Sequence, residues 1–105
     1  MKESDWKVFL EIVPELRERF LRDKNQELKS ILEETGKTPT EQFWAVAQKS
    51  EEIAKILLRC LDGHSRSKMD IYMLQMLRDG LLRQDDLERF SRELRESLTA
   101  LNEIK

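Results

Sequence analysis

This sequence has little of what metal, redox or phosphate chemistry requires. Its 105 residues include one cysteine and one histidine. A lone cysteine excludes an intramolecular disulfide and fits a compartment that keeps thiols reduced. Metal sites draw on clusters of His, Cys and carboxylates, and the inward-facing Glu-x-x-His pairs of di-metal bundles are missing because Leu61 stands three residues before His64. The three glycines are scattered at positions 36, 63 and 80, which leaves no glycine-rich loop to cradle phosphate. No uninterrupted apolar run approaches the roughly 20 residues that span a bilayer. Lys7 and Glu11 interrupt the apolar N-terminal stretch, so there is no signal-peptide pattern.

Charge of one sign is lacking as well. Lys and Arg total 19 against 21 for Asp and Glu, and the signs are mixed in every segment. Proteins built for nucleic acid or anionic membrane surfaces concentrate cations on one face. These absences point to a cytoplasmic protein with one helical domain over residues 1–105, no cofactor, no metal and no membrane partner.

What is present is helical periodicity. With 39% hydrophobic and 38% charged residues, and only two prolines, the chain can bury a core and solvate its helix faces. The expected fold is all-α, a four-helix bundle-like domain. Helix 1 is expected from a cap at Ser4 or Asp5 to about Thr35. It carries Trp6, Phe9, Leu10, Val13, Leu16, Phe20, Leu21, Leu28, Ile31 and Leu32 at helical spacing. Pro14 keeps the stripe in phase on either side, which predicts a kink there rather than a break.

Helix 2 has the clearest start: Thr38 as N-cap, Pro39 in the first position and Glu41 three residues after the cap. Its face reads Phe43, Val46, Ala47, Ile53, Ala54, Leu57 and Leu61, and Gly63 ends it. Helix 3, about 67–79, is apolar over roughly 200°, twice the arc a surface helix needs. That places it at the centre of the fold or at an interface. Helix 4 is expected from Gln84 to about Asn102, with the narrow seam Leu87, Phe90, Leu94, Leu98 and Leu101.

Three functional classes can be drawn from this pattern. The leading one is a non-enzymatic interaction or regulatory module that associates with itself as a homodimer or docks another protein. Its surface would use the apolar positions left outside the main stripes: Val8, Ile12, Trp44, Ile56 and Ile71. The alternative is a nucleic-acid or phosphate-binding regulator. His64, Ser65, Arg66 and Lys68 place hydroxyls and cations at the start of helix 3, where an anion is welcome. A helix-turn-helix reading of helices 2 and 3 is weakened because helix 3 offers few polar side chains to base edges. The third class is an enzyme built on Cys60 and His64, four residues apart, but a nucleophile also needs an oxyanion site and an orienting third group. On the leading reading, Ile12→Asp or Ile56→Asp separates associated chains and leaves them helical, which light scattering and circular dichroism would measure.

Overall fold

The computed structural model describes residues 2–103. It is all-helical in the order α1 (Glu3–Glu33), α2 (Pro39–Leu61), α3 (Met69–Arg78) and α4 (Arg92–Asn102). Short 3₁₀ segments at Arg66–Lys68 and Gln84–Arg89 lead into the last two helices. The helices pack as α1 on α2, α2 on α3 and α3 on α4. The core draws on all four, with Phe9, Ile12, Val13, Leu16, Phe20, Ile53, Cys60, Leu61, Met69, Met73, Met76, Leu94 and Leu98 buried.

Local chemistry sets the boundaries. Thr38 Oγ1 accepts from Glu41 N–H at 3.1 Å and Glu41 Oε1 accepts from Thr38 N–H at 3.1 Å, the reciprocal capping box expected for α2. Gly36, at φ 82°, makes the left-handed turn that lets α2 fold back along α1. Helix α1 runs without interruption through Pro14. The missing N–H leaves the Leu10 carbonyl without its helical donor, which an exposed Pro14 and Leu10 tolerate because water can reach that side of the helix.

Asp5 does not cap α1. It lies in the first turn of that helix, buried, and its carboxylate takes Ser91 N–H at 2.8 Å and Ser91 Oγ at 2.6 Å. Ser91 in turn caps α4 by accepting from Leu94 N–H. This contact explains why the expected continuous helix 4 is divided. The 3₁₀ turn ends at Arg89, Phe90 is extended, and the α-helix restarts after Ser91. A second tether runs from Arg19, which donates to Leu81 O at 2.8 Å and to both oxygens of Asp86 at 2.7 and 3.1 Å.

The two halves of the molecule differ in thickness. Helix α1 has 31 residues and α2 has 23, whereas α3 has 10 and α4 has 11. The short pair cannot cover the long pair. Phe20 is the last buried residue of α1 and Ile53 the first of α2, so no residue is buried in the hairpin beyond them. The chain is 52 Å long and 28 by 22 Å across. Its radius of gyration is 16.6 Å, against about 13 Å for a compact chain of this length.

Two expectations follow. Ile12, placed above on an interface, is 1% exposed and packs in the core, so Ile12→Ala should lower unfolding free energy in urea by about 2–5 kcal/mol and Ile12→Asp should unfold the chain rather than dissociate it. For Asp86, burial opposes ionisation, but the hydrogen bonds from Arg19 and from Arg83 N–H, with the charge of both arginines, outweigh it and hold the carboxyl below its usual range. Its contribution is therefore present above the unfolded-chain pKa of about 3.9 and lost as pH falls through the lower folded value. Acid unfolding of Asp86→Asn should be correspondingly shallower, measured by circular dichroism across the acid limb.

Candidate functional site: the open face of the helical hairpin

The hairpin of α1 and α2 is registered by side chains that cross it. Arg17 donates to Leu61 O at 3.1 Å near the base, Lys49 pairs with Glu27 at 3.9 Å midway, and Gln42 donates to Leu32 O and Glu34 O at 3.2 Å at the tip. Each helix uses three sides. At about 100° per residue, Phe9, Ile12 and Leu16 of α1 point to the core shared with α3 and α4. Arg17, Lys24 and Ile31 lie toward α2. On α2, Ile56 and Arg59 lie toward α3, where Arg59 reaches Asp79 at 2.7 Å, and Val46, Ile53 and Leu57 lie toward α1.

The third side is open. On α1, Leu10, Leu21, Leu28 and Leu32 fall within about 40° of one another on the helical wheel. On α2, Phe43, Ala47, Ala54, Leu58 and Trp44 fall within about 100°. On the α1 stripe Leu10 and Leu32 are exposed while Leu21 and Leu28 are partly buried against the core, and on the α2 stripe Phe43, Trp44 and Leu58 are exposed. Six large hydrophobic side chains are more than half exposed among the described residues, and five of them lie on this one face: Leu10, Leu32, Phe43, Trp44 and Leu58. Phe43 and Trp44 meet edge to face with centroids 5.1 Å apart, forming an aromatic knob at the tip beside Leu32. An apolar surface gathered on one face, rather than scattered, is the mark of an association site.

The predicted interface residues separate on this geometry. Trp44 is on the face and 64% exposed. Ile71 is 61% exposed but belongs to α3, away from it. Val8 and Ile56 are half-buried and pack against the core, whereas Ile12 is inside it and is corrected to a packing position. Leu10, Leu32 and Phe43 were assigned above to inward stripes, and Leu58 to none. Leu10, Leu21, Leu28 and Leu32, spaced 11, 7 and 4 apart, form a second seam on α1, distinct from the Phe9–Phe20 set, and it was present in the sequence.

The segment 64–68 forms a brace between helices. His64 donates from Nε2 to Cys60 O at 2.7 Å, and its ring sits edge-on between Phe9 and Tyr72, at 4.9 and 4.8 Å. Tyr72 donates to Gly63 O at 2.9 Å. Arg66 forms an ion pair with Glu3. Ser65 and Lys68 precede the 3₁₀ turn and α3 without making a side-chain cap. The four residues therefore do not converge on a common point: the imidazole and the guanidinium each serve a contact inside the chain.

Cys60 and His64 do not form a thiol–base pair, because the imidazole meets the carbonyl of Cys60 and not its sulfur. The buried thiol donates to Asp79 Oδ2 at 3.1 Å, an oxygen that also receives Arg59 and Gln75. Burial pushes the Cys60 thiol up, and the neighbouring Asp79 carboxylate adds to the effect, to about 12. Among the described residues no group of three or more His, Cys, Asp or Glu side chains is placed to hold a metal ion, and no helix is long and apolar enough to cross a membrane.

Since the thiolate is the reactive form, Cys60 should label with maleimide or a chromogenic disulfide far more slowly in the folded chain than in urea. Equal rates in the two states would contradict the buried geometry. No family model matches this chain, and neither a curated protein nor a solved structure does.

Proposed function

We propose that this protein is a non-catalytic, cytoplasmic association module that uses the open face of the α1–α2 hairpin to bind protein, either itself or another chain. One observation carries the reading: five of the six exposed large hydrophobic side chains share that face. Burying a Leu, Phe or Trp stabilises a complex by about 1.5–3 kcal/mol per side chain, and aromatic anchors in particular dominate association energies. The half of the hairpin beyond Phe20 and Ile53 adds no fully buried residue, and only Leu21 and Leu28 pack partly buried against the core there. The phosphate-binding alternative has less support, since Arg66 already pairs with Glu3 and His64 is held by aromatic rings.

A photo-reactive amino acid introduced at position 43 or 58 should cross-link to protein in cells that express the chain. The same group at Glu52, exposed on another side of α2, should not. Failure of both positions 43 and 58 to give any protein adduct would remove the association reading.

A further inference from the structure

We draw no further inference here: the strongest candidate, the exposed apolar face of the α1–α2 hairpin around Phe43 and Trp44, belongs to the association reading already proposed, and nothing in the structure shows what covers it.

Discussion

The governing constraint is a mismatch of length. Helix α1 rises about 46 Å at 1.5 Å per residue, nearly the full 52 Å of the molecule, while α3 and α4 together offer only short segments to lie against it. A core can be no longer than its shortest layer. Everything beyond Phe20 and Ile53 is therefore a two-helix structure without a third layer, and the pair Phe43 and Trp44 lies within it. The elongated shape and the exposed aromatic knob are both consequences of that one inequality.

The base of the molecule shows the reverse economy, with polar groups fixed by contacts far apart in sequence. Asp5 and Ser91 join the start of α1 to the start of α4. Arg19 and Asp86 join the middle of α1 to the 3₁₀ turn, and Arg59, Cys60 and Gln75 converge on Asp79 where α3 ends. For the buried Asp5 carboxylate a charge-assisted hydrogen bond contributes about 1.5–3 kcal/mol. Geometry matters more than magnitude here. A buried carboxylate that must meet Ser91 sets where α4 can begin, and a guanidinium that must meet both Leu81 O and Asp86 fixes the turn between α3 and α4. The chemistry-bearing residues near His64 and Cys60 are likewise occupied with joining helices.

Much of this fold was legible in the sequence, because helices announce themselves locally. The Thr38–Glu41 capping box, the turn at Gly36 and the methionines of α3 depend on residues close in sequence. Asp5 could not be read that way: as a sequence signal it resembles a cap for α1, and its true partner lies 86 residues on. Ile12 was misplaced for a related reason. Helix α1 is apolar on three sides, and only the positions of α3 and α4 decide which side is covered. Phe43 failed in the opposite direction. It sits on the same wheel as Ile53 and Leu57, but it lies past the end of the third layer, and periodicity carries no information about how far that layer extends. The helix lengths did carry it: long helices paired with short ones leave a remainder.

That remainder also limits what kind of complex the face can make. The buried set, from Phe9 to Leu98, spans all four helices within one chain, so folding does not wait for a partner. Obligate dimers, by contrast, have interfaces that resemble a domain core cut in half. The middle of the face is also small and polar, with Ala47, Ser50, Glu51 and Ala54 between the knob at Phe43 and Trp44 and the side chain of Leu58. Such a surface lets backbones approach closely but provides apolar anchors only at its ends. For the association proposed above, such a face supports a contact separable from folding, because the core of the single chain is closed without it.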